Sequence, residues 1–335
     1  MKTSAELDER LSRPSSGLLK DFQSLHGDLL VLGAGGKMGP TLSIMARRAL
    51  PAAQRVFAVS LFGADQVQRD LEAQGVETIS GDLLDEAFLK QLPDSANIVY
   101  MAGLKFGSTE NPAETWAMNV LLPAKVAQRF ANSRIVAFST GNVYPFVPVA
   151  SGGCVESDPP GPVGEYAQSC LGRERMFQYY SLKNRTAVTL FRLNYASELR
   201  YGVIVDVATR VFNREAIDLT MGHFNVIWQG DANNMALRSL LLAEVPARLL
   251  NVTGPEIVSI RWLAEQFAAQ FDVQPVFTGK ESQSALLSNP AAAMAHFGEP
   301  EVSVKQMIPW VADWLKQGGT LLNKPTHFEE RGGKY

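Results

Sequence analysis

The stretch that most constrains this chain is Gly33-Ala34-Gly35-Gly36-Lys37-Met38-Gly39, which ends an apolar run at 28–32 and opens a helical pattern. Glycines 33, 36 and 39 stand at G-x-x-G-x-x-G spacing. In a bend of this kind the first glycine permits the tight turn. The second lets a diphosphate approach the backbone, and the third lets the new helix press on the strand. The helix start then aims unpaired N–H groups at the anion. The spacing predicts a dinucleotide site, with Gly33, Gly36, Lys37, Met38 and Gly39 around the phosphates. A glycine-rich turn without a ligand is the plain alternative, and the placement between a buried strand and a helix argues against it.

The rhythm that follows predicts an α/β fold, a Rossmann-type doubly wound parallel sheet. Short apolar strands at 28–32, 56–60, 78–80, 98–101 and 134–139 alternate with helical patterns at 38–49, 66–74, 86–91 and 113–130. Residues 151–164, rich in Gly and Pro, read as a loop before a helix at 165–181 and a strand at 187–193. The expected division is an N-terminal arm at 1–26 and an NAD(P)-binding domain at 27–185. Residues 186–335 then form mainly a smaller substrate lobe, with segments returning to the sheet. The tail after Gly318 carries no pattern that can be interpreted.

Bulk properties narrow the function classes. A net charge of -3 gives no electrostatic reason to expect nucleic acid or an anionic membrane. No apolar stretch is long enough to span a bilayer, and residues 1–26 lack the apolar core of a signal peptide, so a cytoplasmic location is expected. The two cysteines suggest no disulfide framework, and the four histidines are scattered, so no metal site is expected.

The acid that usually receives the adenosine ribose diol would end the second strand, where this chain has Ser60 followed by Leu61 and Phe62. No basic residue stands there for the extra phosphate of NADP, so the cofactor expectation is NAD or NADP with NAD favoured. Asp82 and Leu83 follow the third strand. Asp82 reads equally as an adenine contact or as the N-cap of the next helix.

Several motifs together resemble the extended short-chain dehydrogenase/reductase family, the NAD-dependent epimerases and dehydratases, over roughly residues 28–316. They are Gly81-Asp82, Ala102-Gly103-Leu104-Lys105 with Asn119 beyond, Ser139-Thr140-Gly141-Asn142-Val143-Tyr144, and Tyr166 with Ser169 and Glu174. The local match is nearest to the family's UDP-galactose 4-epimerases. The resemblance implies cofactor contacts at Asp82, Ala102, Gly103, Asn119 and Tyr166. It also implies a catalytic hydroxyl at Thr140 and a homodimer pairing helices 113–130 and 165–181. Gly141 and Asn142 stand where sugar dehydratases carry an acid pair, which makes elimination chemistry unexpected.

One position departs from the family. Its catalytic pair is Tyr-x-x-x-Lys, and here Tyr166 is followed at that spacing by Cys170. A phenol titrates near 10, so only about one in a thousand is ionised at pH 7 without help. If an ammonium shifts it by about three units, losing that charge costs on the order of 4 kcal/mol in phenolate availability. Lys105, after the fourth strand, is the expected replacement cation, and Arg173 lies on the same helix about two turns on. Cys170 reads as a small residue filling the lysine's space, with a nucleophilic thiol as the other possibility.

Three readings follow. The first is an oxidoreductase or epimerase acting on a hydroxyl carbon of a sugar, sugar acid or nucleotide sugar, with Thr140, Tyr166 and Lys105 as its catalytic set. The second uses the fold for non-redox chemistry, and the third is a non-catalytic protein that senses NAD(P).

Overall fold

The structure, a computed structural model, describes residues 1–63, 65–324 and 326–334. Seven strands form the central sheet: β1 (Leu29–Leu32), β2 (Val56–Ser60), β3 (Glu77–Ser80), β4 (Asn97–Tyr100), β5 (Arg134–Thr140), β6 (Val188–Leu193) and β7 (Arg248–Val252). Their order is β7-β6-β5-β4-β1-β2-β3, and every neighbouring pair is parallel. The unbroken apolar run of β1 fits this position, since all four of its residues are buried between covered faces. β6 and β7 come from the C-terminal half of the chain and join the same sheet.

Two short helices, α1 (Ser4–Leu11) and α2 (Ser16–Asp21), form the N-terminal arm. Leu7 and Leu11 enter the core of the C-terminal lobe, while Leu18, Phe22 and Leu25 enter the core on one face of the sheet. The arm therefore docks across both. Along the sheet run α3 (Gly39–Ala49), α4 (Asp65–Ala73), α5 (Glu86–Gln91), α6 (Pro112–Trp116), α7 (Leu122–Arg129) and α8 (Gly164–Asn184). Asp85, and not Asp82, caps α5 by accepting from the Ala87 amide at 2.8 Å. The cap reading of Asp82 is corrected accordingly.

The single helix expected over 113–130 contains a π-turn at Ala117–Leu121, between α6 and α7. Pro123 supplies a reason. It has no N–H to give the carbonyl four residues back, at Asn119, and its ring crowds that carbonyl. The Leu122 amide instead reaches Ala117, and the widened turn turns Asn119 inward, where it is fully buried.

The C-terminal half adds α9 (Val203–Phe212), α10 (Gln229–Arg238), α11 (Ile260–Phe271), α12 (Ala291–Phe297) and α13 (Val304–Lys316), of which α10 and α12 pack into the core on one face of the sheet. α9, α11 and α13 share one core with Phe224, Trp228 and Phe328. Sheet order reverses between β1 and β4. Ligands of open α/β sheets bind in the crevice that such a reversal leaves at the strands' carboxyl ends.

Candidate active site

Gly33 leaves β1 with φ +87, and a Cβ there would meet the Ala102 backbone N at 2.5 Å. A side chain would thus wedge apart the ends of β1 and β4. At Gly39 a Cβ would strike the Ala34 carbonyl at 2.3 Å, so the start of α3 packs closely on the turn that leaves β1. Gly36, by contrast, has open space, its nearest neighbour being the Gly33 carbonyl at 3.5 Å. Gly33, Gly36, Lys37, Met38 and Gly39 all line one cavity of about 1240 Å³. Thr140, Tyr166, Gly103 and Lys105 line the same cavity.

The other expected contacts stand back from that wall. Ser60 abuts the turn, its Oγ 2.6 Å from where a Cβ on Gly35 would sit. Asp82 accepts from the Leu84 amide at 2.9 Å, and Leu83 is buried in the core beneath β3. Ala102 backs Gly33. Asn119 is a clamp: its Oδ1 accepts from the Leu104 amide (2.9 Å) and Arg173 Nη2 (2.6 Å). Its Nδ2 donates to the Leu104 carbonyl (2.8 Å) and Ser169 Oγ (2.9 Å). All four hydrogen-bonding positions of the amide are used, so Asn119 fixes the loop after β4 against α8.

Thr140 ends β5 and accepts the Asn142 amide at 3.2 Å, starting a tight turn. The Tyr166 phenol, half-buried on the first turn of α8, is hydrogen-bonded with both Thr140 and Cys170. Burial, followed by the effect of Cys170, pushes the phenol well above its usual range, against the opposing pull of Arg173 and Thr140. Cys170 is fully buried, and burial raises its thiol as well. A nucleophilic thiolate needs the opposite shift, so the space-filling reading of Cys170 fits the structure.

Behind the pair, Ser139 Oγ donates to Glu174 at 2.6 Å, and Arg192 grips both oxygens of Glu174 at 2.9 and 2.7 Å. Arg192 also reaches the Tyr144 hydroxyl at 2.6 Å, and that hydroxyl donates to Asn251 Oδ1 at 2.9 Å. This buried network fixes α8 to β5, β6 and β7, and so sets the height of Tyr166 above the sheet.

Cations gather at the mouth. Lys105 Nζ lies 5.8 Å from the Tyr166 ring centre and donates to the Thr326 carbonyl at 3.2 Å. Lys37 Nζ sits 3.4 Å from the Tyr201 ring centre and 4.7 Å from that of Phe106. Burial, with Lys105 and Lys324 nearby, lowers Lys37 to about 7, and burial lowers Lys105 to about 8. Both amines line the cavity, and an anion bound there would favour their charged forms.

Sequence reasoning missed the part of the wall supplied by the tail. Thr326 hangs on Asp206 by its amide (2.8 Å) and hydroxyl (2.6 Å), and Leu322, Lys324 and Thr326 line the cavity. Tyr201 and Arg200 also lie in the wall. Their region, 194–206, follows β6 at the carboxyl edge, and that position was the one available signal. Among the described residues no group of acidic, His and Cys side chains could hold a metal, and no helix is long and apolar enough to cross a membrane.

No curated protein sequence matches the chain. Solved structures do. The UDP-glucose 4-epimerase of Thermus thermophilus, in complex with NAD, is 20% identical, with a TM-score of 0.70 over 86% of this chain and 99% of its own. The UDP-glucuronic acid 4-epimerase of Bacillus cereus, in complex with UDP-glucuronic acid and NAD, is 16% identical, with a TM-score of 0.72 over 87% and 99%. The UDP-glucose 4-epimerase of Thermotoga maritima, with UDP-glucose, is 14% identical, with a TM-score of 0.69 over the same shares. At these identities the likeness speaks for the fold. The family model of the NAD-dependent epimerases and dehydratases matches residues 29–211, which is more than half of the chain. On that match, the chain belongs to the NAD-dependent epimerase/dehydratase family.

Proposed function

We propose that this chain holds NAD and moves hydride at a hydroxyl-bearing carbon of a sugar, sugar acid or nucleotide sugar, as an epimerase or a dehydrogenase. The observation that carries the reading is that Thr140 and Tyr166 line the same cavity as the glycine turn. The turn fits a diphosphate: Gly36 is open, while Gly33 and Gly39 tolerate no side chain. Gly33, Gly36, Lys37, Met38 and Gly39 would hold the diphosphate, and Gly103 and Tyr166 lie toward the reactive end. A nicotinamide dinucleotide bound there supplies the hydride acceptor and donor.

The protein's own part is proton handling and orientation. Thr140 directs the substrate hydroxyl, and Tyr166 takes its proton as the carbonyl forms and returns it when the carbonyl is reduced. With Gly141 and Asn142 beside Thr140, no carboxylate stands there for water elimination. The solved neighbours bound to UDP-glucose and UDP-glucuronic acid support a nucleotide-sugar substrate. A homodimer through α6 to α8 is supported by exposed Leu121 and Leu182 on those elements. Leu121→Arg with Leu182→Arg should then give monomers by sedimentation, and an unchanged mass would reject that face.

The catalytic test is NMR of UDP-glucose, UDP-glucuronate and free sugar acids incubated with protein and NAD, with absorbance of the reduced nicotinamide followed in parallel. Isomer exchange marks an epimerase, and net reduction marks a dehydrogenase. Either should fall by about 10²–10⁴ in Tyr166→Phe. A second reading, a sensor that binds NAD without turnover, is favoured by Cys170 at the lysine position. NAD binding with no product across the panel would establish it and reject the first.

A further inference from the structure

Tyr166, Cys170 and Arg173 occupy positions i, i+4 and i+7 of α8 and therefore share one stripe of the helix. Helical side chains lean toward the N-terminus, so a long side chain at 173 lies over the turn that carries Cys170. Cys170 is small and fully buried, and Arg173 is 6% exposed. The guanidinium is held on two sides: Nη1 donates to the Phe138 carbonyl at 2.9 Å and Nη2 to Asn119 Oδ1 at 2.6 Å. It also lies on Gly103, where a Cβ would come within 2.3 Å of Nη2. Gly103 is thus glycine because a cation is pressed against it. Nε is buried with no acceptor among the described residues.

We propose that Arg173 is the positioning residue that supplies the positive charge the family's lysine would bring, moved three places along α8 into the space left by Cys170. This rests on the proposed function, because it assigns a charge to the Tyr166 site. Arg173 and Tyr166 both line the cavity, and the guanidinium acts on the phenol through space. A guanidinium keeps its charge at every working pH, and Glu174 nearby adds to that, so Arg173 stays a cation despite its burial. Lys105 Nζ also lies 5.8 Å from the Tyr166 ring centre, but it donates to the Thr326 carbonyl and burial lowers it to about 8, whereas the guanidinium of Arg173 holds its charge throughout. The rigid fork, pinned at Asn119 and Phe138, fixes where the charge sits relative to the nicotinamide end of the cavity.

The test uses the full-length protein labelled with fluorotyrosine. The Tyr166 signal is assigned by its loss in Tyr166→Phe, and its titration is followed by 19F NMR alongside calorimetry with NAD. Arg173→Met keeps the length and removes the charge. It should raise the Tyr166 titration by about one to three units and weaken NAD by about tenfold, while Arg173→Lys should keep most of both. The double variant Cys170→Lys with Arg173→Met should restore both. The proposal is overturned if folded Arg173→Met leaves the phenol and NAD affinity unmoved, or if the double variant folds and restores neither. Should Arg173→Met fail to fold, the double variant decides alone: it must titrate Tyr166 at or below wild type. Turnover in wild type with an unmoved phenol in the variants would reject this assignment and leave the hydride-transfer reading standing.

Discussion

Tyr166 must give up a proton from a half-buried position, and its surroundings set how hard that is. Burial and Cys170 hold the phenol protonated, while Arg173 and the Thr140 hydroxyl pull the other way. Thr140→Val should therefore cost turnover and leave NAD affinity within about twofold, because it removes a hydroxyl from the reacting end and none from the phosphate end. Product analysis beside calorimetry checks this. The lysines make a separate statement about pH. Lys37 and Lys105 titrate at about 7 and 8 in the folded chain against 10.5 for a free lysine. The folded state then binds fewer protons than the unfolded one between those values, so the unliganded protein should gain stability as pH rises from about 7 toward 10 and lose it below. An anionic diphosphate favours the charged amines, so NAD binding near pH 8 should take up protons. Calorimetry in buffers of different ionisation heat would show an enthalpy that depends on the buffer, and Lys37→Met should shrink that dependence. At this scale Thr140, Tyr166 and the glycines were legible because their motifs are local. Arg173 was only half legible, since its role depends on where a long side chain comes to rest.

Among the elements, α8 carries the most. Its position rests on Glu174 and Arg192, both buried and paired through two hydrogen bonds. Breaking one partner of a buried pair leaves an uncompensated charge, so Glu174→Gln should cost about 3–5 kcal/mol by denaturant melts. Replacement of both residues by apolar side chains should cost less, because no bare charge remains. The alternation of strands and helices was readable because each unit reports its own burial through its apolar run. The π-turn at Ala117–Leu121 was not. Its periodicity still looks helical, and only the pairing of Pro123 with the carbonyl of Asn119 betrays it. The cap at Asp85 was missed because Asp82 and Asp85 offer equally good capping chemistry, and the chain's exit from β3 decides between them.

The molecule as a whole is closed by its two ends. The arm bridges the two cores, and the tail crosses the lobe to the cavity mouth, where Thr326 meets both Asp206 and Lys105. Phe328 anchors that tail in the core of α9, α11 and α13. Phe328→Ala should cost about 3–5 kcal/mol, and it should loosen the mouth so that amides near 326 exchange faster with solvent. The arm at 1–26 was expected from sequence, but where it docks was not legible, nor was the tail, because their contacts join residues far apart in the chain and leave no local period. The solved neighbours span 99% of their own chains but 86–87% of this one, so this chain carries residues beyond the shared fold. Everything said of Tyr166 presupposes that a nicotinamide dinucleotide lies along the bend at Gly33 to Gly39. The most direct measurement is calorimetric titration of the purified protein with NAD and with NADP, after analysis for nucleotide carried through purification. The account predicts one saturable site per chain, or a copurifying nucleotide, and loss of either in Gly36→Val. No heat with either nucleotide and none retained would contradict it.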